Sequence, residues 1–169
     1  MLGIKFTVET ADADEPSPLR ELAPGENLRR MTAPKGEPVA QRHPDAAVIA
    51  ADTVVVLNGE YFGKPQDEQD AIWMLSTLSG ETHEVYTGLM VLYNGGSDFA
   101  VQRTEVTFRE LTDEEIAEYI ATGEPMDKAG AYGIQGLGAS LISEINGDYF
   151  NVMGLPVGLL RAMLFNIER

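Results

Sequence analysis

The chain has 169 residues, 27 acidic against 12 basic side chains, a net charge of −15 and a pI near 4.3. A surface this acidic repels a nucleic-acid backbone, so non-specific DNA or RNA binding is excluded as its business. The absence of cysteine rules out disulfides, thiol nucleophiles and thiolate metal sites. An apolar fraction of 44% and a mean hydropathy of −0.12 are those of a soluble globular domain long enough to bury a core. No apolar run is long enough to span a bilayer and no targeting pattern opens the chain, which points to the cytoplasm. A small anionic substrate stays compatible with the charge if lysines converge locally and a divalent cation bridges it to carboxylates.

Leu2 to Val8 alternate loosely, as a short strand or its approach would. The acidic stretch Asp12-Ala13-Asp14-Glu15-Pro16 is either a solvated loop or a place where Glu15 helps hold a metal. Glu26 to Ala33 reads as a short helix with Leu28 and Met31 on its apolar side. Pro34 predicts that it stops or kinks near Thr32, and Lys35 beyond it reads as a surface lysine. Ala46 to Leu57 is a near-continuous apolar run, a strand buried on both faces. Asp52 interrupts that run. An unpaired charge there is costly, so Asp52 is either half of an ion pair or a site residue. Asn58-Gly59 predicts a hairpin that returns the chain through Glu60, Tyr61 and Phe62 and brings Lys64 back beside the strand of Asp52. On pattern alone Lys64 serves equally as a site or a surface residue.

A helix follows Asp67, with Ala71, Ile72, Leu75 and Leu78 at helical spacing, Trp73 and Met74 in core packing, and Gly80 ending it. His43 and His83 form no two-histidine metal motif and read as structural or surface residues. Val85 to Tyr93 and Phe99 to Phe108 are strands joined by Asn94-Gly95-Gly96, and Thr112 to Glu115 is a capping box for a helix closed by Gly123. The run from Glu124 to Gly136 combines an acid, a base, an aromatic, an amide and several glycines. It is either a tight connection or a ligand loop in which Asp127, Lys128 and backbone N–H groups meet an anion. Leu141 to Ile145 and Tyr149 to Val152 are short strand candidates, and Gly154-Leu155-Pro156 opens a last helix carrying Leu159, Leu160, Met163 and Leu164. The pattern is α/β or layered α+β, with hairpins that make a purely parallel sheet unsuitable. No phosphate-loop, dinucleotide or nucleophile-elbow signature occurs. One buried Asp, Glu15 and loop lysines suit metal-assisted attack of water on a phosphoanhydride better than acyl transfer.

Ala51-Asp52-Thr53, Gly63-Lys64-Pro65, Leu78-Ser79-Gly80 with His83, Thr87-Gly88 and Thr104 to Phe108 resemble, in order, the motifs of the Maf family of nucleotide pyrophosphatases. So do Gly123-Glu124-Pro125, Asp127 to Gly136, and Asn151-Val152 with Gly154-Leu155-Pro156. The resemblance implies hydrolysis of nucleoside triphosphates to the monophosphate and pyrophosphate with a divalent cation, Mg²⁺ or Mn²⁺. It also implies one domain over residues 1–169, an elongated α/β fold whose mixed sheet is flanked by helices, with a cleft between two lobes. Carried over by position, Asp52 is the proton acceptor and a metal ligand, and Glu15 a second metal ligand. Lys35 and Lys64 bind phosphate, and Asp127 and Lys128 line the same pocket. The residues around Asp52 and Gln135 resemble the dTTP and UTP branch, which makes Thr53 and Gln135 specificity residues. A Gln amide can pair with the donor and acceptor edge of a pyrimidine. The resemblance implies a small-molecule nucleotide substrate, no nucleic-acid or membrane partner, and leaves a homodimer open. The family's opening strand and Ser-x-Ser-Pro-Arg-Arg loop have no counterpart before Leu2-Gly3-Ile4, so the chain is expected to be N-terminally truncated relative to the family. The alternative is then a catalytically impaired nucleotide-binding or cell-division-regulating relative.

Overall fold

Two long strands whose inward positions are apolar carry the rest of the molecule. A computed structural model of the chain describes residues 2–14 and 16–167. It contains β1 (Val48–Leu57), β2 (Glu60–Phe62), β3 (Thr82–Tyr93), β4 (Gly96–Phe108) and β5 (Ile142–Asn146) in one sheet of order β2-β1-β3-β4-β5. Asn58 and Gly59, at φ 51° and 80°, make the β1–β2 turn, and Asn94 and Gly95, at 48° and 75°, make the β3–β4 turn. Both are left-handed pairs, the geometry that matches strand twist in a two-residue hairpin. The α/β class and the helix-flanked sheet are as expected. Every pairing among the described residues is antiparallel, so no parallel member of the expected mixed sheet lies within them.

Side-chain alternation gives the sheet two different faces. On one, α1 (Pro24–Arg42) packs Leu28 and Met31 against Val54 and Val56, with Tyr61, Tyr86 and Phe99 at the margin. On the other, Val55, Leu57, Val85, Val106 and Phe108 meet α2 (Glu68–Leu78) and α3 (Asp113–Ala121) in the main core. Farther along that face Leu89 and Val91 receive Leu160 and Met163 of the last helix, Val157–Ile167. The Thr112 capping box is formed, with Thr112 Oγ1 accepting from Glu115 N–H and Glu115 reaching back to Thr112 N–H at 2.8 Å.

Four expectations are corrected. The first helix does not stop at Thr32: α1 runs through Pro34 and Pro38 to Arg42. A proline inside a helix costs roughly 3 kcal/mol. Continuing keeps Val39 buried, worth about 1.5–3 kcal/mol, and keeps the backbone at Gly36 close against Leu92 and Ala50. Leu2 to Val8 form no strand, and Ile4, Phe6 and Val8 are exposed. The segment pairs with none of the described strands, and Leu2 packs at the margin of the Leu89 and Leu160 cluster. Tyr149–Val152 is not a strand but one turn of helix, α4, because Asp148 Oδ1 caps Phe150 N–H at 2.9 Å. The last helix is therefore α5. Trp73 is 47% and Ile72 43% exposed. Trp73 stacks on Phe62 from outside, ring centroids 5.3 Å apart, while Met74 goes into the core as expected.

His43 is a surface residue held to Glu9 at 2.6 Å. His83 is fully buried, edge-on to Phe108 and Tyr132, with Nε2 2.7 Å from the Tyr132 hydroxyl. Burial lowers its pKa to about 4 from 6.5. The folded state thus refuses a proton that the unfolded chain accepts. This contribution is neutral above pH 6.5, and stability is lost as pH falls from 6.5 toward 4, by roughly 3 kcal/mol in all. Urea unfolding at pH 7, 5.5 and 4 is expected to show this acid decline, and His83→Gln to make it shallower by one proton's worth.

Candidate active site

The close seat of α1 on the sheet places the first pair of site residues. A Cβ on Gly36 would lie 2.7 Å from Leu92 Cδ1 and 3.1 Å from Ala50 Cβ, and one on Gly88 would lie 2.7 Å from Leu28 Cβ. Because these positions carry only hydrogen, the helix comes near enough for Lys35 Nζ to reach Asp52 Oδ2 at 2.8 Å. Lys35 is therefore no ordinary surface lysine. The other carboxylate oxygen accepts Thr53 N–H at 2.9 Å. The Asp52 side chain is 15% exposed. The ammonium and the amide together account for a carboxylate in an apolar strand, since burying it alone is far costlier.

The next residue along β1 points to the opposite face. Thr53 Oγ1 is 2.9 Å from Thr87 Oγ1, directly across the β1–β3 ladder, and Thr87 donates to the Asn151 carbonyl at 3.1 Å. Asn151, on α4, is buried and donates its amide to Val85 C=O and to Thr104 Oγ1, both at 3.0 Å. This hydroxyl and amide network ties α4 to the sheet under a cleft of about 200 Å³. Thr53, Asp127, Lys128 and Gln135 line it, with Tyr132 and Met153 among its walls.

The loop predicted to be either a connection or a ligand site folds as three short 3-10 turns, Glu124–Asp127, Ala129–Ala131 and Gly136–Leu141. Lys128 Nζ bonds Asp127 Oδ1 at 2.6 Å. Gly130 N–H donates to Gly63 C=O at 3.0 Å, which docks the segment leaving β2 onto this loop. The hairpin does return the chain along β1, pairing Phe62 with Val55, and beyond it the Lys64 charge acts on Asp127. The Lys128 hydrogen bond and charge, with a smaller part from Lys64, hold the Asp127 carboxyl below its ordinary value.

Four of the expected site residues thus share one cleft, and Lys35 with Asp52 forms a pair on the other face of the same strand. Glu15, expected as a metal ligand, lies outside the described residues. Among the described residues no group of three or more His, Asp or Glu side chains converges on one point. Thr87, Asn151, Tyr119 and Glu124 were not foreseen as contributors. Asn151 carried a signal, an amide in an apolar stretch next to Gly154-Leu155-Pro156, but its partners lie 47 and 66 positions away.

On the side away from β3, β1 is paired only at Val55, Val56 and Leu57. Among the described residues, Asp52 and Thr53 pair with Gly88 and Thr87 of β3, and their side chains lie on opposite faces of β1.

A family model described as Maf-like protein matches residues 1–167. The chain is 48% identical over 162 residues to the dTTP/UTP pyrophosphatase of Latilactobacillus sakei subsp. sakei (strain 23K), covering 95% of this chain and 88% of that protein. It is 48% identical over 156 residues to the dTTP/UTP pyrophosphatase of Halalkalibacterium halodurans, covering 92% and 82%. With the protein of that name from Geobacillus sp. (strain WCH70) it shares 50% identity over 158 residues, covering 93% and 84%. With the family pattern matched along nearly its whole length and relatives this similar, the chain belongs to the Maf family.

Proposed function

We propose that this chain, as one Maf-like domain over residues 1–169, hydrolyses UTP and dTTP to the monophosphate and pyrophosphate, a housekeeping activity on the cytoplasmic nucleotide pool. The observation that carries the reading is the step from Asp52 to Thr53 along β1. It joins a carboxylate and lysine pair to a cleft of about 200 Å³. That cleft is smaller than the roughly 300–1,000 Å³ of pockets for drug-sized ligands, and it suits a single base with the charged part of the nucleotide left outside. The relatives' names agree with that substrate.

In the reaction, a water oxygen forms a bond to phosphorus as the phosphoanhydride P–O bond breaks. Asp52 takes the water proton, and pyrophosphate leaves. Lys35, paired with Asp52 at 2.8 Å before substrate arrives, passes to the phosphate oxygens, which frees the carboxylate to act as base. Lys64 and Lys128 add positive charge on the cleft side. A divalent cation, Mg²⁺ or Mn²⁺, fits a donor set made only of carboxylates, since such ions take one or two carboxylates plus substrate phosphates. Asp52 and, by its place in the family pattern, Glu15 would hold it. Bound there, it would neutralise phosphate charge and polarise the breaking bond.

Gln135 is assigned to the base. Competition between UTP and GTP tests this: Gln135→Ala is expected to lower the preference for UTP by about tenfold, the scale of one lost base-edge contact. An unchanged ratio contradicts the pyrimidine assignment. Lys64→Ala is expected to raise KM for UTP several-fold with little change in thermal unfolding, because an exposed ammonium near phosphate contributes charge rather than packing. Unchanged KM with a large fall in Tm would make Lys64 structural instead.

A further inference from the structure

Gln135 is exposed, and its side chain makes no hydrogen bond to a described residue. No hydrogen bond to a described residue therefore fixes the side chain over the cleft, and its main chain is gripped on both sides. Before it, Gly133 N–H donates to the Tyr119 hydroxyl at 3.2 Å. After it, Leu137 N–H and Gly138 N–H donate to the two oxygens of Glu124, at 3.1 and 3.0 Å. The two grips are one object, because the Tyr119 hydroxyl donates to Glu124 Oε1 at 2.9 Å.

The loop is shaped around this pair. Gly136 sits at φ +78°, where a Cβ would come within 2.7 Å of Glu124 Oε2, and a Cβ on Gly138 would come within 2.3 Å of the Gly133 carbonyl. Neither position has room for a side chain. Partial burial pushes the Glu124 carboxyl upward, but the Gly138 and Leu137 N–H bonds outweigh it and hold the group below its ordinary value. It is therefore an anion and accepts from all three donors at neutral pH. The carboxylate is anchored in turn at the end of α3, where Glu124 N–H bonds Thr122 Oγ1 at 3.2 Å. Neither Glu124 nor Tyr119 lines the base cleft.

We infer that Glu124 and Tyr119 are positioning residues for base selection, a buttress that fixes the backbone on either side of Gln135 and so fixes where its amide meets the base. The inference rests on Gln135 selecting the base. The carboxylate is required for a geometric reason: three donors converge on it from one side, and a neutral amide would meet one of them with its own NH₂.

The test is the ratio of kcat/KM for UTP over GTP in the wild type and in Gln135→Ala, Glu124→Ala, Glu124→Gln, Tyr119→Phe and the Glu124→Ala, Gln135→Ala double variant. Glu124→Ala is expected to lower the ratio about three- to tenfold, Glu124→Gln and Tyr119→Phe less, each losing fewer bonds. The loss falls on KM for UTP more than on kcat. The double variant is expected to be no less selective than Gln135→Ala alone, because without the amide nothing remains to position. If Glu124→Ala does not fold, Glu124→Gln and Tyr119→Phe carry the test. A wild-type ratio in the buttress variants, with Tm or overall activity lowered equally for both nucleotides, overturns the inference while Gln135→Ala still shows selectivity lost. An unchanged ratio in Gln135→Ala removes the base assignment and this inference with it.

Discussion

Asp52→Asn is expected to lower UTP turnover by about 10²–10⁴-fold, the usual worth of a general base, while the variant stays folded and still binds nucleotide. The amide keeps the shape of the carboxylate and one acceptor oxygen, so the Thr53 N–H bond of 2.9 Å can persist. It cannot take a proton from water, and it no longer neutralises Lys35. The Lys35 and Asp52 side chains are only 26% and 15% exposed, so the lost pairing also lowers stability, by about 1–3 kcal/mol. Steady-state turnover and thermal unfolding of the same preparation separate the two effects. Turnover within twofold of wild type in a folded variant would move the base elsewhere.

Gly88→Ala is expected to damage both the fold and the site. Gly88 lies directly across the ladder from Asp52. An added Cβ would meet Leu28 Cβ at 2.7 Å and the Phe99 ring at 3.0 Å. The first of these is a root atom of a helix residue, not the tip of a flexible side chain, so α1 itself must move. Overpacking of this kind costs about 1–3 kcal/mol, a fall of roughly 3–10 °C in Tm for a chain of this size. Lys35 rides on α1, so its contact with Asp52 lengthens and turnover falls beyond what the lost stability explains. Differential scanning calorimetry with turnover measured well below Tm checks this. A wild-type Tm would show that α1 sits less tightly than these distances imply.

The parts of the fold written in short-range signals were legible. Asn58-Gly59 and Asn94-Gly95 specify hairpin turns wherever they occur between apolar runs, and the Thr112 capping box starts a helix by local bonds alone. Asp52 stood out because an acid in a buried strand demands a partner, and the partner proved to be Lys35. Local pattern read that lysine as a surface residue and only the family resemblance placed it at phosphate, because the two lie 17 positions apart and Pro34 argued against the helix that carries it. Local propensity lost there to the burial of Val39 and the close seat of Gly36 against Leu92 and Ala50. It lost again at Tyr149–Val152, whose strand-like side chains are turned into a helix by the Asp148 cap and the buried Asn151 amide. The candidate cleft was half legible: Asp127, Lys128 and Gln135 occupy one conspicuous loop. The Thr87 and Asn151 network and the Glu124 buttress depend on contacts between distant segments, which no local pattern announces.

Pyrophosphohydrolysis driven by Asp52 is read from the identity of the products. The chain, with UTP and Mg²⁺ at neutral pH, is expected to give UMP and pyrophosphate in equal amounts by anion-exchange chromatography, and Asp52→Asn almost none of either. Release of UDP and inorganic phosphate, or equal yields of UMP from wild type and Asp52→Asn, would contradict it.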